Sequence, residues 1–185
     1  MKNRLTAFLS VLIGAISLVS CIDQDQTEEV NLERNKEEIR KYLAENPIAS
    51  VKEYKEEVEG FYMFWQVRND TGDTITRGDT VTVNYTGKLL NKTVFDTSIE
   101  QVAKDNGIFN SSRKYEPLKF RPGFNFAIVG FEFAISLMRE GEKATVIFPA
   151  RLGYGNQPSG PVPANSPLIF EIDLLDVKKG SLPNP

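Results

Sequence analysis

Residues 78–98 read GDTVTVNYTGKLLNKTVFDTS, and this stretch gives the clearest indication of the fold. Val81, Val83 and Tyr85 alternate with polar residues, so the stretch is predicted to begin as a β-strand with one apolar face. The same alternation returns in LIFEIDLL at residues 168–175. Aromatic and aliphatic side chains stand beside single polar ones in both strands. This pattern favours a site that binds its ligand by burying apolar surface and by making a few hydrogen bonds.

Three more strand-like segments and one helix complete the predicted fold. The strands are FYMFWQV at residues 61–67, LKF at residues 118–120 and ATVIF at residues 144–148. In GFEFAISLM, residues 130–138, apolar side chains recur at helical spacing, and Gly141 is placed to end the helix. One short helix facing several antiparallel strands predicts an α+β fold.

The segment before these strands is charged and rich in helix formers. Residues 28–46 are predicted to form an N-terminal helix, because Leu32, Ile39 and Leu43 recur at roughly helical spacing. The apolar stripe is thin. We expect this helix to dock on the domain or to act as a solvated spacer, and pairing with another chain is a third alternative. Residues 50–58 are also charged and are predicted to be helical or irregular.

The N-terminus has the composition of a secretory signal. Lys2 and Arg4 precede an apolar run that is too short for a stable membrane span. LVSC, residues 18–21, resembles a bacterial lipobox, which implies that Cys21 is lipidated and becomes the mature N-terminus. An ordinary signal peptide that contains a cysteine is the alternative. Residues 23–29, DQDQTEE, are polar and acidic, which is typical of a solvated tether.

These observations divide the chain into four parts. We predict a signal peptide over residues 1–20, a lipidated cysteine with tether and helical spacer over residues 21–60, the folded domain over residues 61–177, and a disordered tail over residues 178–185. The predicted location is the cell envelope. Because Ile22 rather than aspartate follows the cysteine, we expect the lipid to lie in the outer membrane with the domain facing the periplasm.

Composition excludes several chemistries. The chain of 185 residues has no histidine and one cysteine, so Ser-His-Asp and Cys-His sites cannot be built. Neither GxGxxG nor GxxxxGK[ST] occurs, and the usual zinc ligands are missing, so the sequence supports no nucleotide cofactor and no metal. Residues 1–20 hold two of the 22 basic residues and no acidic one, which leaves 20 basic against 25 acidic residues. A net charge of −5 argues against nucleic acid as a partner.

Six short motifs follow one another in a definite order. They are VNYTG at 83–87, FD at 95–96, PLKF at 117–120, AIVGFE at 127–132, GYG at 153–155 and LIFEI at 168–172. Over about residues 78–177 this order resembles the FKBP-type peptidyl-prolyl cis-trans isomerases. The resemblance implies an antiparallel sheet wrapped around one short helix, which agrees with the α+β pattern. Together with the lipobox, it points to the lipoprotein branch of the family, of the type associated with gliding motility.

The resemblance also implies a pocket for the substrate proline. It places the catalytic positions at Tyr85, Phe95, Asp96, Ile128, Phe131, Tyr154 and Phe170. It places further substrate contacts at Leu118, Ala127 and Val162. Phe131 would be the floor of the pocket, and Val162 would lie on an overhanging loop. Asp96 would be a hydrogen-bonding group at the rim rather than a proton-transfer base.

Aromatic walls and two hydrogen-bond donors complete the implied pocket. Tyr85, Phe95 and Phe170 would be the walls. The backbone N–H of Ile128 and the hydroxyl of Tyr154 would hold carbonyl groups of the substrate. Each aromatic residue taken alone also fits an ordinary core position, and the order of the motifs is what favours the site.

The chain departs from the family at several positions. The floor is often tryptophan in the family, but here it is Phe131, and the single tryptophan, Trp65, is expected outside the pocket. Leu118 stands where an aromatic wall is common, and Ala127 stands where valine often occurs. Residues 99–116 are longer than the usual connection and are predicted to form a helix-bearing lid or a partner surface.

The leading functional hypothesis is a lipid-anchored isomerase that acts on X-Pro bonds of exported proteins. Its mechanism would be non-covalent and would need no cofactor, and its partners would be proline-containing polypeptides. Two alternatives stay open at this point. One is a non-catalytic chaperone or binding module on the same fold, and the other is a structural subunit of an envelope machine such as the gliding apparatus.

Overall fold

Seven antiparallel strands form one sheet within residues 24–180, which the computed structural model describes. The strands are β1 (Lys52–Glu56), β2 (Phe61–Val67), β3 (Thr80–Leu89), β4 (Val94–Thr97), β5 (Leu118–Phe120), β6 (Lys143–Phe148) and β7 (Leu168–Lys178). Their order is β1-β2-β6-β7-β3-β4, and β5 also pairs with β3. The predicted signal peptide, Cys21 and residues 181–185 lie outside the described residues.

Helices lie on both faces of this sheet. They are α1 (Gln24–Glu45), α2 (Glu100–Asp105) and α3 (Val129–Ser136), with a 3₁₀ turn at Ala150–Leu152. Since α1 begins at Gln24, most of the predicted acidic tether is helical. None of the helices in residues 24–180 has the length and apolar character that crossing a bilayer requires.

The predicted central helix forms but ends earlier than its pattern indicated. Leu137 and Met138 donate backbone N–H groups three residues back, to Ala134 and Ile135, which closes α3 in a tight turn. Gly141 does not end the helix. It has a φ of +81° and lies in the turn before β6, where its N–H donates to the Leu174 carbonyl at 2.7 Å.

The inner face of the sheet packs against α3. Val81 and Val83 are fully buried, as the alternation predicted, and Ile135 of the helix lies in the same apolar cluster. The inward residues of β7 belong to it as well. They are Leu168, Phe170, Ile172, Leu174 and Val177. This core fixes the sheet around the helix and confirms the predicted α+β arrangement.

The outer face of the sheet packs against α1. Ile39 is 0% exposed and lies against Tyr62, Phe64, Ile147 and Ile169. Burying such a side chain stabilises the folded state by about 1.5–3 kcal/mol. The structure therefore shows that this helix docks on the domain, which was one of the three alternatives.

Residues 50–58, predicted to be helical or irregular, contain the edge strand β1. Its residues pair in register with β2, so that Lys52 lies opposite Trp65. Tyr54 turns inward, and its ring centroid lies 6.1 Å from that of Phe61. Charged residues are common on edge strands because they hinder pairing with other chains, and here they conceal the strand pattern. The predicted domain boundary at residues 60 and 61 thus falls inside a β-hairpin.

Residues 178–180, which the predicted tail includes, have a defined structure, because β7 continues through Lys178 and the next two residues bind Asp79. The N–H of Gly180 donates to the Asp79 carboxylate at 2.9 Å, and the N–H of Thr76 does so at 2.8 Å. Burial by itself favours the neutral acid. These hydrogen bonds and Lys179 outweigh it and hold the pKa of Asp79 far below its usual value.

Candidate active site

Four of the predicted residues bring their rings together between α3 and the sheet. Phe131 of α3 lies 5.8 Å from Tyr85 of β3 and 5.2 Å from Phe170 of β7, measured between ring centroids. Phe95 of β4 lies 5.6 Å from Phe170, edge to face. Rings at these separations attract one another beyond the burial of their surface. The result is an aromatic cluster in which Phe170 contacts each of the other three rings.

Two glycines allow the rings to approach this closely. A Cβ atom on Gly130 would lie 2.7 Å from the ring of Phe148, which is stacked on Phe170. A Cβ atom on Gly87 would lie 2.6 Å from Phe95 and 2.9 Å from Phe170. A side chain at position 87 would therefore displace a ring of the cluster, and one at position 130 would displace the ring of Phe148 that stacks on Phe170.

A polar network lies at the rim of the cluster. The hydroxyl of Tyr85 donates to Asp96 at 2.6 Å, and the backbone N–H of Thr97 donates to the other carboxylate oxygen at 2.9 Å. The guanidinium of Arg113 also binds the Asp96 carboxylate and donates to the Tyr85 hydroxyl at 3.2 Å. Burial, followed by the bond to Asp96, raises the pKa of Tyr85 against the opposing effect of Arg113. Tyr85 is thus kept as a hydrogen-bond donor, and Asp96 is occupied as an acceptor.

The backbone of β4 holds Asp96 in this place. The Tyr85 N–H donates to Ser98 Oγ at 3.0 Å, and Thr97 Oγ1 donates to the Tyr85 carbonyl at 2.8 Å. Gly87 and Asp96 are direct cross-strand partners. The pairing of β3 with β4 therefore places the carboxylate next to the phenol.

Ile128 and Tyr154 lie beside the cluster, and each has one donor, the Ile128 N–H and the Tyr154 hydroxyl, without a partner among residues 24–180. Ile128 precedes the first residue of α3, and its carbonyl accepts the N–H of Phe131 at 3.0 Å. Tyr154 is 36% exposed, and its ring centroid lies 6.4 Å from that of Phe95. Burial, followed by the charge of Asp96, raises the pKa of Tyr154. Among the hydrogen bonds of residues 24–180, none is made by the Ile128 N–H or by the Tyr154 hydroxyl.

The three predicted substrate contacts differ in exposure. Leu118 and Ala127 are half-buried and pack against the core that contains the cluster. Val162 was expected on an overhanging loop. Its side chain is only 2% exposed and belongs to the core, and its backbone exchanges two hydrogen bonds with Ser159. Trp65 is fully buried and donates to Glu142 at 2.9 Å.

Two further residues at the site, Arg113 and Glu132, were not predicted from the sequence to have a role. Arg113 lies in the long connection 99–116, and its binding to Asp96 brings that connection to the rim. Glu132 accepts the N–H of Ala127 at 2.9 Å and that of Gly123 at 2.7 Å, and so fixes the loop that leads to Ile128. The position of Glu132, a charged residue inside the otherwise apolar AIVGFE motif, could have indicated that its carboxylate has a structural role. Nothing in the local pattern distinguished Arg113 from a surface arginine.

The candidate site combines a polar rim with an aromatic interior. Within the described part of the chain, no three His, Cys, Asp or Glu side chains come close enough together to hold a metal ion. Phe131 and Phe170 are almost fully buried, whereas Asp96 and Arg113 keep about a third or more of their side-chain surface exposed. A ligand would therefore meet a polar rim first and an aromatic interior behind it.

Comparison with known proteins identifies the family. The model of the FKBP-type peptidyl-prolyl cis-trans isomerases matches residues 72–175, which is more than half of the chain. The chain therefore belongs to the FKBP-type peptidyl-prolyl cis-trans isomerase family, as its motifs indicated. The matched residues include every candidate site position from Tyr85 to Phe170.

Relatives share this domain but differ in length. A probable FKBP-type peptidyl-prolyl cis-trans isomerase of Haemophilus influenzae is 38% identical over 111 residues, 60% of this chain and 40% of that protein. A short-type peptidyl-prolyl cis-trans isomerase of Methanocaldococcus jannaschii is 47% identical over 81 residues, 44% of this chain and 51% of that protein. The match thus spans about half or less of these two relatives. The crystal structure of FkpA from Escherichia coli is similar with a TM-score of 0.58 and 27% identity, over 85% of this chain and 63% of that one.

Proposed function

We propose that this chain accelerates the cis–trans isomerisation of X-Pro bonds in polypeptides, without a covalent intermediate. The observation that carries the proposal is the aromatic cluster of Tyr85, Phe95, Phe131 and Phe170, with Asp96 hydrogen-bonded at its rim. Membership of the isomerase family and the names of the relatives support the same conclusion.

The physical problem is the rotation of an amide bond. Twisting the bond out of conjugation meets a barrier of roughly 18–20 kcal/mol, and an X-Pro bond left alone takes tens of seconds or longer. The twisted amide has lost resonance and is less dipolar than the planar one. An apolar, water-poor site disfavours the planar form relative to the twisted one, and this differential binding lowers the barrier.

The aromatic residues would hold the pyrrolidine ring of the substrate while the preceding carbonyl turns. Phe131 packs on Tyr85 and Phe170, and Phe95 packs on the ring of Phe170. Entry of the ring would require the rim side chains to move apart, since Phe131 is only 3% exposed. Leu118, Ala127 and Val162 would shape the edges of the site.

Hydrogen bonds would orient the substrate chain. The unpaired Ile128 N–H and the Tyr154 hydroxyl are donors that would bind substrate carbonyls on either side of the proline. The Tyr85–Asp96–Arg113 network would keep the rim polar and the Tyr85 ring in place. In this mechanism no side chain gains or loses a proton during the rotation.

Two substitutions test the proposal in a peptide isomerisation assay with the purified protein. Asp96→Ala removes the acceptor of the Tyr85 hydroxyl, and Phe131→Ala removes the ring that packs on Tyr85 and Phe170. Each is expected to lower kcat/KM about tenfold or more, which corresponds to about 1.4 kcal/mol per factor of ten in rate. Asp70→Ala removes an exposed carboxylate that does not contact the cluster, and it should leave the rate unchanged.

Folding of each variant is checked by its unfolding transition, and Phe131→Leu serves as a less disruptive second variant. A wild-type protein that does not accelerate isomerisation would contradict the proposal. If that protein still suppressed the aggregation of an unfolded client, the non-catalytic binding module would be the better description. Full activity in both Asp96→Ala and Phe131→Ala would show that the reaction occurs elsewhere.

We also propose that the protein is a lipoprotein of the gliding-associated type, anchored through Cys21 in the outer membrane, with exported, proline-containing polypeptides as clients. The LVSC motif at residues 18–21 supports the anchor. Because α1 begins at Gln24, only two residues separate Cys21 from the helix. A lipid on Cys21 would therefore hold the domain close to the membrane surface, and several acyl chains would make the attachment stable.

Metabolic labelling with a radioactive fatty acid tests the anchor in the full-length chain. We expect the wild type to incorporate label and to sediment with membranes, and Cys21→Ser to lose the label and leave the membrane fraction. Ser20→Ala, which keeps the cysteine, is the matched control. Unlabelled wild type would contradict the anchor, and normal spreading of a deletion strain would contradict the association with gliding.

A further inference from the structure

Among the side chains of α1 that the structure describes, Asn35 is the polar one that is almost fully enclosed. It lies between Leu32 and Ile39 on the face that docks on the domain, and it is 1% exposed. Asparagine is a weak helix former, and a buried amide is costly unless its groups are hydrogen-bonded. Its presence at this position therefore requires partners outside the helix.

Both partners belong to one loop. The Asn35 side-chain amide donates to the carbonyl of Asn165 at 3.1 Å, and its oxygen accepts the N–H of Ala150 at 2.9 Å. The amide also lies 3.5 Å from Glu38 Oε2 on the next turn of α1, at the limit of a hydrogen bond. Asn35 thus joins the two ends of residues 150–165.

Two backbone hydrogen bonds complete a closed ring with Asn35. The N–H of Gly155 donates to the Ala150 carbonyl at 2.8 Å, and the N–H of Asn165 donates to the Gly155 carbonyl at 2.8 Å. Asn165 has a φ of +57°, a conformation that asparagine tolerates better than most residues. The ring therefore fixes the backbone on both sides of Gly155, and Tyr154 is the adjacent residue.

We propose that Asn35 is a positioning residue for isomerisation: through the loop 150–165, α1 sets the place of the Tyr154 hydroxyl. This inference rests on the proposed function, in which that hydroxyl holds a substrate carbonyl. Beyond the 3₁₀ turn the loop has no regular structure until β7, and Gly153, Gly155 and Gly160 make it easy to deform. A misplacement of about 1 Å at such a donor can cost up to about 100-fold in rate.

The inference gives α1 a role beyond covering the sheet. The apolar contacts of Ile39, one helical turn after Asn35, attach the helix to the outer face of the sheet. Asn35 instead reaches the segment that carries Tyr154 and Val162. Loss of helix docking and loss of loop positioning can therefore be separated by substitution.

A double-mutant cycle tests the inference with the purified full-length protein. Asn35→Ala is expected to lower kcat/KM for an X-Pro peptide by about 5- to 50-fold. In a Tyr154→Phe background the same substitution should cost less than about twofold, because the hydroxyl it positions is already absent. Ile39→Val, which weakens docking without touching the loop, should lower the unfolding midpoint and leave kcat/KM within about twofold.

Asn35→Asp gives a second variant in case Asn35→Ala does not fold. The carboxylate keeps an acceptor for the Ala150 N–H but has no donor for the Asn165 carbonyl, so it should also reduce activity. Wild-type activity in both variants would overturn the inference. So would an undiminished effect in the Tyr154→Phe background, because Asn35 would then act by another route.

Amide exchange separates failure of this inference from failure of the proposed function. If the wild type had no isomerase activity, the proposed function would fail, but the ring would still be testable. Faster exchange of the Gly155 and Asn165 N–H groups in Asn35→Ala than in Ile39→Val would support control of the loop by Asn35. Equal exchange rates in the two variants would overturn it.

Discussion

Replacement of Glu142 by alanine is expected to lower the free energy of unfolding by about 3 kcal/mol, because it leaves one buried and two part-buried N–H donors without their acceptor, at about 1–3 kcal/mol each. The carboxylate is 2% exposed. It accepts the indole N–H of Trp65 and the backbone N–H of Arg139, both at 2.9 Å, and the backbone N–H of Asn69 at 3.3 Å. For a domain of this size the loss corresponds to about 6–12 °C in Tm, measurable by thermal unfolding.

Two control variants separate the lost acceptor from the lost charge and volume. Glu142→Gln keeps an acceptor oxygen in the same volume and should recover most of the stability. Glu57→Ala removes an exposed glutamate and is expected to stay within about 0.5 kcal/mol of the wild type. A Glu142→Ala protein that unfolds at the wild-type midpoint would show that Trp65 and the two backbone groups find other acceptors.

The second large effect is expected from Gly87→Ala, which should impair both stability and activity. The added Cβ would lie 2.6 Å from the ring of Phe95 and 2.9 Å from that of Phe170. Both rings are buried and pack on each other, so neither can yield without moving the aromatic cluster. Overpacking of this kind costs about 1–3 kcal/mol. The peptide assay should show a fall of about tenfold or more in kcat/KM if the proposed site is correct.

A compensating substitution distinguishes steric crowding from other effects at this position. Gly87→Ala combined with Phe95→Leu should regain stability, since leucine frees the space that the new methyl group needs. Activity should not return, because the wall formed by Phe95 is lost. A Gly87→Ala protein as stable and active as the wild type would mean that the rings move aside at little cost.

Periodicity was sufficient for the central fold because the relevant elements face an apolar core on one side only. Val81 and Val83 alternate with polar residues and are buried as predicted. The short helix was recognised from its spacing, although its end was placed too late, since Leu137 and Met138 close it by tight-turn hydrogen bonds rather than by Gly141. Local hydrogen bonding of this kind leaves no periodic signal.

The segments before β2 and after β7 were predicted less well, because distant residues decide their structure. β1 carries the charges of an exposed edge, and only pairing with β2 makes it a strand. Residues 178–180 look like a polar tail in the sequence. They are held by Thr80 across the sheet and by Asp79.

For the candidate site, the order of the motifs predicted which residues take part, and the structure shows the distances and hydrogen bonds between them. Tyr85, Phe95, Phe131 and Phe170 are separated by many residues in the chain, and the sheet and α3 bring their rings within contact. Arg113 was not predicted, because its partner Asp96 lies 17 residues earlier, before α2 and a stretch without regular structure. The burial of Val162 was likewise invisible in a loop rich in proline and glycine.

The α+β class, the family and the aromatic residues of the candidate site can be predicted from the sequence, because alternation, helical spacing and motif order are properties of neighbouring residues. Three features are visible only in the tertiary structure. They are the docking of α1, the hydrogen-bonded ring that Asn35 closes with Ala150, Gly155 and Asn165, and the hydrogen bond that Trp65 donates to Glu142. Each of those contacts joins residues far apart in the chain. A buried polar group takes whichever partner the packing brings to it, and no local pattern specifies that partner.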